Sequence, residues 1–229
     1  MPILPPADAY IFDIDGTLLV TKDLVHWNAL HQAMIEAYGL DTTIEGIQYH
    51  GKTDLSILRA AVARCGVDDS QFEAALPKAL EIVRREVEKH HGEILPQICP
   101  GITQLIRTLH SKGTLLGIAS GNLESVGWHK IDAAGLRQFF SFGCFSDRHE
   151  SRADIFRNAL ECAQRRLGGN PRVCFIGDTP SDVDAARHVG ANIVAVASGT
   201  FTVDQLQACA PDLCISHCGE FFVEEAKSF

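Results

Sequence analysis

The sequence predicts an α/β fold in which a doubly wound parallel sheet carries a long all-helical insert. Short and almost continuously apolar runs alternate with amphipathic helical stretches along most of the chain. Acidic residues stand directly at the ends of two of these runs. One long stretch after the first run lacks the alternation and has helical patterns only.

The candidate strands are runs in which nearly every side chain is apolar. Strands of a parallel sheet that is covered by helices on both faces have this composition. The runs are AYIFDID (9–15), TLLGIAS (114–120), FFSFGCFS (139–146), RVCFIGD (172–178), NIVAVAS (192–198) and DLCISH (212–217). Helical patterns separate them, at residues 101–113, 152–169 and 180–190. This alternation is typical of a Rossmann-like sheet.

The insert covers residues 19–95, where no run indicates a convincing strand. Its helical patterns lie at residues 23–40, 53–66 and 69–91. Residues 94–101 contain Pro96 and Pro100 and are predicted to be the linker that returns to the sheet. We therefore expect an α/β core built from residues 1–18 and 96–229, with a helical domain at 19–95.

Composition excludes several classes of function. The chain of 229 residues has a formal net charge of −9 and no basic stripe, which argues against nucleic-acid binding. No apolar run approaches the roughly 18 residues that a membrane span needs. The N-terminal residues lack the charged and apolar regions of a signal peptide, so we expect a cytoplasmic protein. The sequence leaves the oligomeric state open.

Four aspartates occupy the positions where a parallel sheet binds ligands, beyond the carboxyl ends of its strands. Asp13 and Asp15 end the first run, and strand alternation predicts that both point to the same side. Asp178 ends a second run, and Asp182 follows near the start of a helix. If the two strands are neighbours, the carboxylates converge and a Mg²⁺ ion would relieve their repulsion. The alternative is that each one only caps a helix or turn.

Other strand ends supply groups that suit a phosphate. Ser120, Gly121 and Asn122 offer a hydroxyl and backbone N–H groups after one run. Arg152 opens a helix after another run, and Arg148 is a nearby competitor for the same role.

The cysteines indicate no disulfide framework. Eight are present at irregular spacing, and none form a CxxC pair. Cys214, His217 and Cys218 are the one metal-like cluster, but a C-terminal strand explains this segment better than a zinc site.

At these motifs the chain resembles the haloacid dehalogenase-like hydrolase superfamily. Its first motif, DxDGT, is matched by residues 13–17, and its fourth, GDxxxD, by residues 177–182. Ser120 matches the second motif and Arg152 is the best candidate for the third, although many relatives have Lys-Pro there. The insert resembles the C1-type cap. Within the superfamily the chain looks like the phosphoglycolate phosphatase and β-phosphoglucomutase branch.

The resemblance implies a mechanism. Asp13 would be the nucleophile that forms an aspartyl-phosphate, and Asp15 the general acid and then the base. Asp13, Asp178 and the backbone carbonyl of Asp15 would hold Mg²⁺, and Asp182 would orient the metal's ligands. The residues that would hold the transferring phosphate are Ser120, Gly121, Asn122 and Arg152. Because dehalogenases of the superfamily lack the second acid, Asp15 favours phosphate-ester chemistry.

The cap would set the substrate. Lys52 and Thr53 are candidates for contact with the leaving group, and the alternative is that Thr53 or Asp54 is a helix N-cap. His26 and Trp27 lie at helical spacing and are predicted to be packing residues. The sequence thus predicts a Mg²⁺-dependent phosphatase for small phosphorylated metabolites. A mutase-type phosphotransferase and a non-catalytic binding protein on the same fold are the alternatives.

Overall fold

The computed structural model describes residues 2–222. Its strands are β1 (Ala9–Phe12), β2 (Leu19–Thr21), β3 (Pro96–Ile98), β4 (Leu115–Ala119), β5 (Phe142–Cys144), β6 (Val173–Gly177), β7 (Asn192–Val196) and β8 (Leu213–Ile215). Its helices are α1 (Val25–Tyr38), α2 (Asp54–Ala63), α3 (Asp69–His90), α4 (Ile102–Ser111), α5 (Glu124–Ala133), α6 (Arg152–Leu167), α7 (Pro180–His188) and α8 (Val203–Gln207).

Six strands form one parallel sheet in the order β5-β4-β1-β6-β7-β8. The chain runs outward from β1 in both directions, through β4 and β5 on one side and through β6, β7 and β8 on the other. The sheet is therefore doubly wound around β1, and all six runs that the sequence indicates contribute a strand. The carboxyl end of β1 lies at a topological switch point, where such folds bind ligands.

The two faces of the sheet are covered by different helices. Tyr10 and Phe12 point into an apolar cluster with α4 and α5, while Ala9 and Ile11 point into a second cluster with α6 and α7. This alternation follows from the pleat of β1. All four side chains are buried, and the first charged residue of this segment is Asp13, which directly follows the strand.

The helices α1, α2 and α3 lie between β2 and β3 and have an apolar cluster of their own. We propose that this cluster is the interior of the cap at residues 19–95. Leu123 and Val126 of the core are also part of it, and both are fully buried. The cap is therefore seated on the start of α5 by apolar contact.

The prediction that residues 19–95 contain no strand is wrong at their first residues. β2 begins at Leu19 and pairs in antiparallel register with β3, with Leu19 opposite Ile98 and Thr21 opposite Pro96. The two short strands join the cap to the core at its entry and exit. Each has only three residues and one contains a proline, so neither has the length or the alternation that marks a strand in a sequence.

Candidate active site

Three polar side chains meet at the carboxyl edge of the sheet because their strands are neighbours. β1 lies between β4 and β6, with Phe12 opposite both Ile118 and Ile176. The residues that end these strands, Asp13, Ser120 and Asp178, are consequently brought together. Their exposed fractions are 6%, 2% and 3%.

Asp13, Asp178 and Asp182 form an acidic cluster. Each offers a carboxylate oxygen, and these oxygens lie within 4.8 Å of one another. Burial raises the pKa of Asp13 to about 7, although Arg152 opposes this effect and the charges of Asp182 and Asp15 add to it. Burial and the charges of Asp13 and Asp182 also raise the pKa of Asp178. The protein thus holds carboxyl groups here that ionise with difficulty unless a cation is present.

Arg152, at the start of α6, lies inside this cluster. Its Nη2 atom is 3.0 Å from Asp13 Oδ1 and 2.6 Å from Asp182 Oδ1, and only 8% of its side chain is exposed. Arg148 is exposed in the turn before α6 and does not line the site. Nη2 has no acceptor in hydrogen-bonding geometry among the described residues. The positive charge of Arg152 thus lies directly beside Asp13, where it would attract an anion.

Asp182 is fully buried, and both of its oxygens are occupied. Oδ1 accepts a hydrogen bond from Arg152 Nε at 2.7 Å, and Oδ2 accepts from the backbone N–H and the hydroxyl of Thr179 at 3.0 and 2.7 Å. Thr179 and Asp182 together form the capping box of α7. The geometry therefore favours an indirect role for Asp182, which holds Arg152 and the end of β6 in place.

The surroundings of Asp178 fit a bound Mg²⁺ ion. The hydroxyl of Thr17 donates to Asp178 Oδ1 at 3.0 Å, which leaves Oδ2 on the other side. A Cβ atom built at Gly16 would lie 2.2 Å from Oδ2, and one at Gly199 would lie 1.9 Å from it. Two glycines thus leave the room that this oxygen occupies. Carboxylate and carbonyl oxygens are the ligands that Mg²⁺ prefers.

Asp13 and Asp15 line the same cavity, but their carboxylates pair with side chains on different helices. β1 ends at Phe12, and the N–H groups of Thr17 and Leu18 both donate to the carbonyl of Ile14, which makes a tight turn. The alternation of a strand therefore no longer applies at Asp15. Asp13 faces α6, whereas the carboxylate of Asp15 turns toward α5 on the opposite face of the sheet.

Lys130 of α5 is the partner of Asp15, and nothing in the sequence indicated it. Its Nζ atom lies 2.8 Å from both Asp15 oxygens, and Asn122 Nδ2 donates to Asp15 Oδ2 at 2.7 Å. Burial opposes ionisation of Asp15, but the charge and hydrogen bonds of Lys130 and the bond from Asn122 outweigh it and lower its pKa. The two partners lie 115 residues apart, and an isolated lysine in a helix gives no local signal.

Asn122 connects this pair to Ser120. Asn122 Nδ2 also lies 2.9 Å from the hydroxyl oxygen of Ser120, which it reaches as a donor. The hydroxyl of Ser120 therefore accepts from Asn122, and its own proton can be donated to another acceptor. Gly121 lies in direct contact with the cap, because a Cβ there would be 2.3 Å from the carbonyl oxygen of Lys52. Its own carbonyl accepts a hydrogen bond from the N–H of Asp54 at 2.8 Å.

A cavity of about 500 Å³ lies between the core and the cap, and the site opens into it. Lys52 lines it and is exposed. Thr53 does not line it. Its hydroxyl donates to the carbonyl of Glu150 at 2.8 Å and accepts from Ser56 N–H, so the N-cap interpretation of Thr53 is confirmed.

The cap contributes further groups to this cavity that sequence reasoning assigned to packing. His26 and Trp27 both line it, and Trp27 also packs against the apolar cluster of the cap. Ser198, in the loop after β7, lines it as well and donates to the carbonyl of Gly16 at 2.7 Å. A loop serine of this kind has no distinguishing sequence signal.

The cysteines at the C-terminal end of the sheet do not join a metal site within residues 2–222. Cys214 lies on β8, as the strand interpretation predicts, and its thiol is directed to the carbonyl of Val203. Cys218 is buried in the apolar cluster with α4. Across the same residues, no helix combines the length and apolar character needed to cross a membrane.

The fold and the site together define a class: a doubly wound α/β protein with an aspartate-rich centre at the carboxyl edge of its sheet. The family model of the haloacid dehalogenase-like hydrolases matches residues 10–196. The chain belongs to this family.

Relatives of similar length are named as phosphatases. The chain is 32% identical over 207 residues to a phosphoglycolate phosphatase of Synechococcus elongatus, which covers 89% of this chain and 90% of the relative. It is 26% identical over 223 residues to a phosphoglycolate phosphatase of Mesorhizobium japonicum, with 95% and 94% covered. These matches place the chain in the phosphoglycolate phosphatase and β-phosphoglucomutase branch. It is a hydrolase of phosphoric monoesters.

A solved structure has the same fold. CbbY from Rhodobacter sphaeroides, in complex with xylulose-(1,5)bisphosphate, superposes with a TM-score of 0.70 at 19% identity and covers 95% of this chain and 97% of its own. At this identity the similarity concerns the fold alone.

Proposed function

We propose that the protein is a Mg²⁺-dependent phosphatase that hydrolyses monoesters of small phosphorylated metabolites through an aspartyl-phosphate. One observation carries this proposal. The buried carboxylate of Asp13 lies within 4.8 Å of that of Asp178 and 3.0 Å from Arg152, so a metal ligand and an anion-binding cation flank one nucleophile.

In the first step a carboxylate oxygen of Asp13 attacks phosphorus, and the bond from phosphorus to the ester oxygen breaks. The negative charge of the bound phosphate favours the protonated form of Asp15, whose pKa is lowered in the free protein, and Asp15 gives this proton to the departing oxygen, which leaves as the alcohol. In the second step water attacks the phosphorus of the aspartyl-phosphate and the bond to Asp13 breaks. Asp15 takes the proton from that water, so inorganic phosphate is released and both aspartates return to their starting forms.

Asp13, Asp178 and the backbone carbonyl of Asp15 would hold Mg²⁺. When bound, the ion shields the attacking carboxylate from the negative charge of the phosphate, a repulsion of about 4 kcal/mol at about 4 Å and an effective dielectric constant of 20. Arg152 Nη2, the hydroxyl of Ser120 and the amides of Gly121 and Asn122 would bind the transferring oxygens.

The substrate class is inferred from the site and its relatives. A cavity of about 500 Å³ closed by a cap suits a small metabolite better than a phosphoprotein. The two relatives described above are named for phosphoglycolate, and the CbbY structure holds a sugar bisphosphate. We therefore propose phosphoglycolate and sugar phosphates as the first esters to assay.

The test is a panel of phosphate esters assayed with Mg²⁺, with EDTA and with Asp13→Asn. We expect release of inorganic phosphate that EDTA abolishes and that Asp13→Asn lowers by several orders of magnitude. Isomerised sugar phosphate without phosphate release would indicate the mutase instead. Undiminished turnover by Asp13→Asn would overturn the proposal, and a folded, metal-binding protein that turns over no ester would favour the non-catalytic alternative.

A further inference from the structure

Lys130 is a buried ammonium at the junction of core and cap, and the mechanism above does not use it. Only 4% of the residue is exposed. Its Nζ atom lies 2.8 Å from each oxygen of Asp15, 3.0 Å from Asn122 Oδ1 and 3.4 Å from His26 Nδ1. Every acceptor around this ammonium therefore lines the cavity beside Asp13.

The hydrogen bonds continue from Lys130 into the cap. An ammonium only donates, so His26 Nδ1 must accept and its Nε2 must carry the proton. Nε2 then donates to Asp54 Oδ2 at 3.1 Å. The same oxygen accepts the N–H of Leu123, at the start of α5, at 2.8 Å. These hydrogen bonds thus form a closed network that connects α5 to α1 and α2 of the cap and returns to the start of α5.

The two ends of the ion pair differ in exposure. The Lys130 side chain is 5% exposed, whereas that of Asp15 is 45% exposed and faces the cavity. A buried lysine is costly unless it is paired, and its Nζ is fixed by four acceptors from three directions. The fixed ammonium of Lys130 therefore restricts the rotation of the Asp15 carboxylate. Misplacement of a reacting group by about 1 Å can cost about 100-fold in rate.

We propose that Lys130 is a positioning residue that fixes the carboxyl group of Asp15 for its proton transfers, and that His26 and Asp54 make this position depend on the seated cap. The proposal rests on the role of Asp15 in the proposed function. It assigns Lys130 no contact with the phosphate.

Two esters separate positioning from general damage. The leaving group of an alkyl phosphate requires a proton, whereas that of p-nitrophenyl phosphate does not. Both esters give the same aspartyl-phosphate, and its attack by water requires Asp15 in either case. A misplaced Asp15 thus slows both steps for the alkyl ester but only the second step for the aryl ester.

For Lys130→Met, which preserves the length of the side chain, we expect kcat for the alkyl ester to fall about 100-fold. With p-nitrophenyl phosphate we expect a burst of about one nitrophenolate per site followed by slow turnover. Lys130→Arg should restore part of the alkyl-ester rate. His26→Ala should also lower kcat for the alkyl ester and produce a burst with p-nitrophenyl phosphate. Both effects should be smaller than for Lys130→Met, because His26→Ala removes only the link to the cap.

Lys112→Met is the matched control, because this lysine is exposed at the end of α4 and away from the cavity. Lys112→Met should leave the rates with both esters unchanged. Asp15→Asn should give the same burst as Lys130→Met if Asp15 has its proposed role. Rapid-quench measurements of product and thermal melts of each variant complete the set.

The outcomes are distinct. A burst for Asp15→Asn together with equal losses on both esters and no burst for Lys130→Met would overturn the positioning role and leave the proposed function intact. Full activity of Lys130→Met would do the same. Turnover that does not depend on Asp13 would overturn the proposed function and this inference with it.

Discussion

Gly199 and Gly16 leave the space that the carboxylate of Asp178 occupies, so a single methyl group there should disturb the metal site selectively. A Cβ atom at Gly199 would lie 1.9 Å from Asp178 Oδ2. For Gly199→Ala we expect Mg²⁺ affinity to fall by about 10- to 100-fold, which is typical when the support of a ligand is changed. Isothermal titration with Mg²⁺ measures it.

Gly92→Ala provides the matched control for this substitution. A Cβ atom at Gly92 meets no atom within 4 Å, and the residue lies away from the cavity. Its Mg²⁺ affinity should equal that of the unchanged protein. Equal affinities for the two alanine variants would mean that Asp178 Oδ2 does not face the ion.

Among the individual residues of the site, the sequence identified those that end apolar runs. Asp13, Ser120 and Asp178 could be predicted because the geometry of a parallel sheet brings strand ends together. Lys130 could not be predicted, because its importance comes from a contact with a residue 115 positions away. The partner of Asp15 was beyond prediction for the same reason, although Asp15 itself lines the cavity with Asp13.

The helix α2 begins with a capping box at the edge of the cavity, and α8 begins with another whose residues do not line it. Thr53 accepts from Ser56 N–H and Thr202 accepts from Gln205 N–H. Replacing either threonine by alanine should lower the free energy of unfolding by about 1 kcal/mol. Thr53→Ala should lower it somewhat more, because the carbonyl of Glu150 also loses its donor.

Only Thr53→Ala should change the kinetics. Lys52 precedes Thr53 and lines the cavity, and loosening the start of α2 moves this side chain. We therefore expect a severalfold higher KM for the best ester with Thr53→Ala and an unchanged KM with Thr202→Ala. Chemical denaturation and steady-state assays measure the two effects. A KM that rises equally in both variants would show that stability, and not the position of Lys52, is responsible.

The elements of the sheet were predictable to the extent that they are long and buried. Residues 173–177 and 192–196 are apolar almost throughout, so the sequence alone identifies them as buried strands. β2 and β3 are short and partly exposed, and their pairing joins segments almost eighty positions apart. Local sequence patterns identify strands by their buried side chains. A short antiparallel pair at the junction of core and cap therefore has only a weak sequence signal.

The whole molecule buries its reacting carboxyl groups beneath a cap that shares apolar contacts with the core. Leu123 and Val126 belong to the core but pack in the interior of the cap. Arg59 of the cap also forms an ion pair with Glu150 of the core at 2.8 Å. Asp13 and Asp178 are buried at the bottom of the cavity at this junction, and burial is the largest influence on the pKa of each.

This burial links folding, protons and metal. The pKa of Asp13 is about 7 in the folded protein against 3.8 for a free carboxyl group, and that of Asp178 is also raised. The metal-free folded state therefore binds protons more tightly than the unfolded chain. The stabilisation from these protons is fully present below the unfolded pKa and is lost as the pH rises through the folded pKa. Carboxyl groups with lowered pKa values, such as Asp15, act in the opposite direction only at more acidic pH.

We therefore expect the melting temperature in EDTA to fall as the pH rises from about 5 to about 8, and the gain in melting temperature from Mg²⁺ to grow over the same interval. Mg²⁺ binding near neutral pH should release protons, which titrations in two buffers of different ionisation enthalpy detect. Asp13→Asn lacks one raised group, so its melting temperature in EDTA should depend less on pH. A Mg²⁺ gain that is constant across this interval would mean that the ion does not replace protons on Asp13 and Asp178.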